Sequence, residues 1–167
     1  MISVSSKRLY TRPFTTDDAG NFFALNGDPE LMRYIRLAKS REQSDMFLNE
    51  VIALYDQDAY RLSLHLKEDD TFVGSFSLLP IEHTTDRHIG YAFLKKYWGQ
   101  GYATEILQAG LNYVFDVMKL SSVLAIVEED NAASIKVLAK CGFHRLRVTQ
   151  DGTKTLLVFQ KFAPEIN

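Results

Sequence analysis

Residues 89–105 constrain the fold of this chain more than any other stretch. Their pattern predicts a strand, a short loop that contains Gly99 and Gly101, and the start of a helix. After the loop, apolar or small residues recur every three or four positions, which predicts an amphipathic helix packed on a sheet. They are Ala103, Ile106, Leu107, Gly110, Leu111, Val114, Val117 and Met118.

A helix that begins directly after a glycine loop can bind an anion. Its first N–H groups have no partner within the helix, and the helix dipole is positive at that end. Glycines at positions 99 and 101 would let a phosphate approach the backbone closely. For an isolated motif of this kind, a plain tight turn is the more common explanation. A P-loop does not explain these residues, because Tyr102 and Ala103 follow Gly101 in place of Lys and Ser or Thr.

Composition limits the partners. A chain of 167 residues with net charge −2 predicts one domain over residues 1–167 and no nucleic-acid partner. We find no apolar run long enough for a membrane span and no secretion signal at the start of the sequence, so we expect no membrane partner. The single cysteine, Cys141, favours a cytoplasmic location. The histidines lack a metal-ligand spacing, so we expect no metal.

The order of predicted elements favours an α/β fold in which helices flank a central, mixed and mostly antiparallel sheet. Helices are predicted from Thr15 or Thr16 to residue 26 and over 30–35, 40–56, 103–118 and 131–141. Strands are predicted over 8–14, 60–67, 72–81, 89–93, 123–127, 143–148 and 155–162.

Four stretches, in order, resemble the GNAT superfamily of N-acetyltransferases, and within it the branch of ribosomal-protein N-terminal (alanine or serine) acetyltransferases. They are residues 7–32; the strand with Gly74; residues 89–91 with 98–105; and residues 131–134 with Leu138, Lys140, Gly142 and Phe143. The resemblance implies a single-domain GNAT-like fold and acetyl-CoA as cosubstrate, without a metal.

The resemblance also implies a set of cofactor-binding residues. Backbone N–H groups would hold the pyrophosphate at Gly99, Gln100, Gly101, Tyr102, Ala103 and Thr104. The N–H of Phe93 or Leu94 would polarise the thioester carbonyl. Asn131 would hydrogen-bond the pantetheine arm, although a helix N-cap explains it equally well. Ser134 would stand near the sulfur, although a backbone-bonded hydroxyl is an equal alternative.

The sequence departs from the superfamily pattern at two positions. Trp98 stands where the wider family has Arg or Gln, as is common in this branch. Leu138 stands where the wider family often has a tyrosine that protonates the leaving thiolate. The tyrosine mechanism is therefore not carried over, and a hydroxyl or water near Ser134 would take its place.

His88 is the predicted general base, because the family often has a carboxylate immediately before the Ile-Gly-Tyr of this strand. An exposed strand histidine is the plainer interpretation. Glu82, His83, Asp86 or water are the other candidates. Covalent catalysis by Cys141 is disfavoured, because a helix C-terminus raises the pKa of a thiol.

The sequence thus predicts an N-acetyltransferase whose acceptor is the N-terminal α-amino group of a protein or peptide. A small amine such as a polyamine or an aminoglycoside is the alternative acceptor. A non-catalytic acyl-CoA-binding regulatory module and a purely structural domain are the alternative functions. A homodimer is compatible with the resemblance.

Overall fold

The computed structural model describes residues 2–165, which form one seven-stranded sheet with helices on both faces. Its strand order is β1-β2-β3-β4-β5-β7-β6. The strands are β1 Leu9–Pro13, β2 Tyr60–Leu66, β3 Phe72–Pro80, β4 Arg87–Phe93, β5 Ser122–Glu128, β6 His144–Asp151 and β7 Lys154–Phe162. The helices are α1 Ala19–Asn26, α2 Pro29–Met32, α3 Arg41–Tyr55, α4 Tyr102–Asn112 and α5 Ala132–Lys140.

Strand pleating separates two hydrophobic cores, one on each face of the sheet. The larger core joins β2–β5 and β7 to α4 and α5, through residues such as Leu62, Phe76, Ile106 and Leu138. The smaller core lies between α1, α2 and α3 and includes Phe14, Phe22, Leu25, Met32 and Leu48. The predicted α/β architecture with a mostly antiparallel sheet is therefore confirmed.

Three predicted boundaries are wrong by three residues or more. The short helix predicted over 30–35 ends at Met32. The helix predicted over 103–118 ends as an α-helix at Asn112 and continues as a π-helical turn over Tyr113–Val117. Strand β6 continues past Val148 to Asp151, because its pairing with β7 extends to the Asp151–Lys154 pair.

The sheet opens between β4 and β5, the neighbouring strands that run parallel. Their pairing register contains one residue pair, His88 with Leu124. Beyond that pair the two strands diverge, whereas the antiparallel pairs on either side continue along their strands. The divergence leaves part of the β4 edge unpaired and creates a cleft in the middle of the sheet.

Candidate active site

The cleft between β4 and β5 is a cavity of about 430 Å³. Its lining comes from strands β2 to β7, from α1, α2 and the segment after α2, and from α5 with its N-cap. Of the predicted site residues, His88, Asn131 and Ser134 line this cavity together. Gly90 and Ala92 lie beside them on β4.

The backbone of Phe93 faces the cleft. The N–H of the next residue, Leu94, already donates to Val73 O at 2.9 Å on β3. Antiparallel strands alternate residues that bond to the partner with residues that face away from it, so the Phe93 groups face away from β3. The Trp98 indole Nε1 accordingly reaches Phe93 O and donates to it at 2.8 Å. Two N–H groups, those of Phe93 and Leu94, were predicted to donate to the thioester carbonyl. Of these, only the Phe93 N–H faces the cleft and has no partner on β3.

The loop before α4 presents a row of unoccupied backbone donors. Within residues 2–165, the N–H groups from Gly99 to Thr104 have no backbone acceptor, and Glu105 N is the first to donate, to Gly101 O at 3.1 Å. Gly99 has φ 69° and Gly101 φ 80°, a left-handed conformation that side chains disfavour. The local geometry thus leaves these amides free at the start of α4, as the predicted anion-binding N-terminus requires.

Arg8 is a site residue that the sequence analysis missed. Its Nη2 donates to Gln100 O at 3.1 Å, its Nε pairs with Glu105 Oε2 at 2.7 Å, and its guanidinium lies 4.1 Å from the Tyr102 ring centre. Glu105 also accepts from Ser6 Oγ at 2.7 Å. Glu105 therefore fixes β1 to α4, and Arg8 brings a positive charge to the anion loop. Arg8 and Glu105 are 97 positions apart, so no local pattern could have revealed the pair.

At the first turn of α5, a tyrosine contacts one of the predicted residues. The Tyr91 hydroxyl lies 3.2 Å from Ser134 Oγ. Burial raises the Tyr91 pKa above its usual value, which keeps the hydroxyl protonated. Asn131 caps the helix, because its Oδ1 accepts from Ser134 N at 3.2 Å. Tyr91 was not predicted: it is on β4, far in sequence from Leu138, where the family's tyrosine was expected.

His88 is half-buried in the cavity wall. Burial first, and then the neighbouring positive charge of Arg61, lower its pKa below the usual value. A histidine of this kind is neutral at pH 7 and can accept a proton. Glu82 and His83 are exposed on the preceding loop, and neither they nor Asp86 line the cavity.

Cys141 lies outside the cavity lining and is buried. Its pKa is raised, chiefly by that burial, so a thiolate is disfavoured. Among residues 2–165, no cluster of three or more histidine, cysteine, aspartate or glutamate side chains could hold a metal ion. In the same range no helix is long and apolar enough to cross a membrane.

Comparisons with known proteins agree on one family. The model of the acetyltransferase (GNAT) domain matches residues 8–144. The uncharacterized protein YkkB of Bacillus subtilis is 31% identical over 150 residues, which are 87% of this chain and 86% of YkkB. The uncharacterized N-acetyltransferase YoaA of the same organism is 29% identical over 146 residues, which are 85% of this chain and 82% of YoaA.

Solved structures share the fold across the whole sheet. A GNAT-family acetyltransferase from Bacillus anthracis superposes with a TM-score of 0.86 at 24% identity, over 96% of this chain and 98% of that one. An acetyltransferase from Salmonella typhimurium, described as modifying the N-terminal serine of 50S ribosomal subunit protein L7/L12, has a TM-score of 0.83 at 16% identity. That match covers 98% of this chain and all of the other, 100%.

Proposed function

The chain belongs to the GNAT family and is an N-acetyltransferase, and from that premise we propose that it acetylates the N-terminal α-amino group of a protein or peptide with acetyl-CoA. The observation that carries the proposal is the cleft beside β4. The cavity lining reaches Ala92, next to the unpaired Phe93 N–H, and the open amides at the start of α4 follow a few residues later in the chain.

The anion loop would hold the diphosphate of acetyl-CoA. The N–H groups from Gly99 to Thr104 lie at the positive end of α4, and the Arg8 guanidinium, which is paired with Glu105, lies beside Gln100. From there the pantetheine arm would follow the unpaired edge of β4 towards α5. The free amide nitrogen of Asn131 would donate to the arm while its oxygen caps the helix.

The thioester would react at the middle of the cleft. The Phe93 N–H would donate to the carbonyl oxygen, which gains negative charge as the amine attacks the carbonyl carbon. The carbon–sulfur bond then breaks and the sulfur takes a proton. Tyr91 and Ser134 would supply it, because their hydroxyls lie 3.2 Å apart and Tyr91 stays protonated.

His88 would remove the proton of the amine through water. His88 and Ala92 are about 13 Å apart along an extended strand, too far for direct contact with an amine beside Phe93. Ser75 and Ser77 line the space between them and offer partners for bridging water. This arrangement suits an α-amino group, whose reference pKa of about 7.7–8.0 requires only weak base assistance.

The comparisons support this acceptor class. The neighbours in fold include the Salmonella typhimurium enzyme and a RimL ribosomal L7/L12 alpha-N-protein acetyltransferase in complex with coenzyme A, which has a TM-score of 0.83 at 16% identity. A ribosomal-protein-S5-alanine acetyltransferase from Vibrio fischeri has a TM-score of 0.78.

The test is a thiol-release screen with acetyl-CoA and three acceptor classes: N-terminal peptides, polyamines and aminoglycosides. We expect N-terminal peptides to give the highest kcat/KM. A polyamine or aminoglycoside that outperforms every peptide would replace the proposed acceptor. Tight acetyl-CoA binding with no thiol release from any amine would instead favour a non-catalytic acyl-CoA-binding module.

A further inference from the structure

The acceptor end of the cavity holds two arginines that the proposed mechanism does not use. Arg36 follows α2 and Arg61 is on β2, and both line the cavity. Neither forms an ion pair with a carboxylate anywhere in residues 2–165. Arg36 Nη1 donates to the neutral amide oxygen of Asn26 at 2.7 Å. The Arg61 guanidinium has no hydrogen-bond acceptor within residues 2–165.

Both arginines are half-buried, and no carboxylate pairs with either of them in the part of the chain that the structure describes. Both guanidinium groups lie over the Phe47 ring, Arg36 at 5.2 Å and Arg61 at 5.5 Å from its centre. Burial lowers the pKa of both arginines; for Arg61, burial and then the neighbouring Arg36 charge together lower the pKa to about 10. Holding two like charges close together without a counter-charge is costly, and an anion bound between them would relieve that cost.

The floor of the cavity leads from these arginines to the reacting centre. Arg61 is paired in register with Ser77, and Ser77 with Gly90 on β4. Gly90 lies two strand spacings, about 10 Å, from Arg61. Only small side chains separate them, so a ligand that contacts the arginines can extend over β4 to the thioester.

From this geometry we infer that Arg36 and Arg61 form an oxyanion subsite that binds a carboxylate or phosphate group carried by the acceptor. The inference rests on the proposed acetyltransferase function and narrows its substrate. Guanidinium groups bind both oxyanions through paired, charge-assisted hydrogen bonds. The acids of the cavity, Glu128 and Asp151, lie on the opposite wall, and Glu128 is paired with Lys154.

The subsite argues against the small-amine alternatives. A polyamine or an aminoglycoside carries several positive charges, which would face two unneutralised guanidinium groups in this wall. An acceptor with an acidic group a few bonds from its α-amine could place the acid at the arginines and the amine at the thioester. The acid could be the terminal carboxylate of a short peptide, an acidic side chain near a protein N-terminus, or a phosphate ester.

Three matched acceptor pairs separate these sources in the thiol-release assay. The first is alanyl-alanine against its amide. The second is an amidated tetrapeptide with glutamate against one with glutamine in the second position, and the third is phosphoethanolamine against ethanolamine. We expect the acid of at least one pair to have a KM lower by about tenfold to a hundredfold, as charge-assisted hydrogen bonds imply.

Variants assign the preference to the arginines. Arg61→Gln should remove the preference for the acid, Arg61→Lys should retain part of it, and both should leave acetyl-CoA affinity unchanged. Arg147→Gln is the matched control, because Arg147 is an exposed strand arginine with no ion pair in residues 2–165. Without ligand, Arg61→Gln should melt no lower than the wild type, because it removes an uncompensated charge. A purely structural arginine would lower the melting temperature.

Binding without turnover separates this inference from the proposed function. Equilibrium titration with N-acetylalanyl-alanine and its amide uses probes that cannot be acetylated again. If no amine releases thiol but the acid probe binds and Arg61→Gln abolishes its binding, the subsite stands and the acceptor proposal fails. If peptides are acetylated but acids and neutral analogues agree within about twofold in every pair, the subsite is overturned.

Discussion

At the scale of single residues, the candidate chemistry depends on burial as much as on residue type. His88 has a lowered pKa because the cavity wall and Arg61 disfavour its charged form, and Tyr91 has a raised pKa because it is buried. His88 is therefore neutral and able to accept a proton, whereas Tyr91 keeps its proton and can donate it. Sequence alone identified His88 from its position before Ile89, but burial and Arg61 were needed to set its protonation state.

The first residue-scale prediction concerns pH. In the wild type, kcat should fall with decreasing pH through the His88 pKa, below the usual value of about 6.5. His88→Gln should remove that limb, and Arg61→Gln should move it to higher pH, because a neighbouring positive charge is lost. His83→Gln, on the exposed loop, is the control. An identical profile for His88→Gln and the wild type would exclude His88 as the base.

The second residue-scale prediction concerns the leaving thiolate. Tyr91→Phe retains the ring and removes the hydroxyl near Ser134, so kcat should fall while the acetyl-CoA dissociation constant stays the same. A thiol is a fair leaving group, so we expect a loss near the lower limit of general-acid effects, about a hundredfold. Steady-state rates with Tyr113→Phe as control test this, and an unchanged kcat would assign the proton to water.

At the scale of elements, the anion loop and α4 position the coenzyme site. The loop was predictable because its glycines and the apolar period after it are local patterns. The π-helical turn at Tyr113–Val117 could not be predicted, because the apolar pattern of these residues fits an α-helix and a π-helix equally well. The end of β6 was also missed: every β6 side chain is exposed, so no buried alternation marks its length.

Gly101→Val should weaken acetyl-CoA binding. Valine disfavours φ 80° by about 1–3 kcal/mol, so the loop should leave its binding conformation and the apparent dissociation constant should rise about tenfold. Gly152→Val is the matched control, since Gly152 has φ 60° with open space around it and lies in the β6–β7 turn. Equal affinity for Gly101→Val and the wild type, measured by titration, would mean that the diphosphate binds elsewhere.

Gly110→Ala should destabilise the fold. A methyl group there would lie 2.8 Å from the Ile89 Cδ1 atom and the Phe76 ring, so these buried side chains or α4 itself would have to shift. Overpacking of this kind costs about 1–3 kcal/mol, and each kcal/mol lowers Tm by about 2–4 °C in a domain of this size. Gly20→Ala, with open space in α1, should instead be neutral or stabilising. Calorimetry that ranks the two variants equally would contradict this packing.

At the scale of the whole molecule, the site is assembled from contacts that no local pattern encodes. Arg8, which directly precedes β1, contacts the loop before α4, and Arg61 faces His88 because β2, β3 and β4 are neighbours. Local patterns gave the order of the elements along the chain, and the family resemblance gave the residues expected to bind the coenzyme. It did not give Arg8, Tyr91 or the Arg36–Arg61 pair, whose positions depend on tertiary packing.

Acetyl-CoA should stabilise the whole chain. At a concentration one hundred times the dissociation constant, a ligand that binds only the folded state adds about 2.7 kcal/mol to the free energy of unfolding. Thermal melting should therefore shift upwards with acetyl-CoA and not with ATP, which lacks the pantetheine arm. A shift of equal size with ATP would reduce the loop to a general phosphate site.

The one-pair contact between His88 and Leu124 gives this last prediction a geometric meaning. Within residues 2–165, the sheet thus consists of two antiparallel blocks, β1–β4 and β5–β7, whose strands are paired with each other at one residue pair only. An extended acetyl-CoA molecule bound between the two blocks would contact both of them, as an additional strand would. In the proposed binding mode, hydrogen exchange of the backbone amides in the diverging parts of β4 and β5 should slow when acetyl-CoA binds, because the ligand then links the two blocks of the sheet.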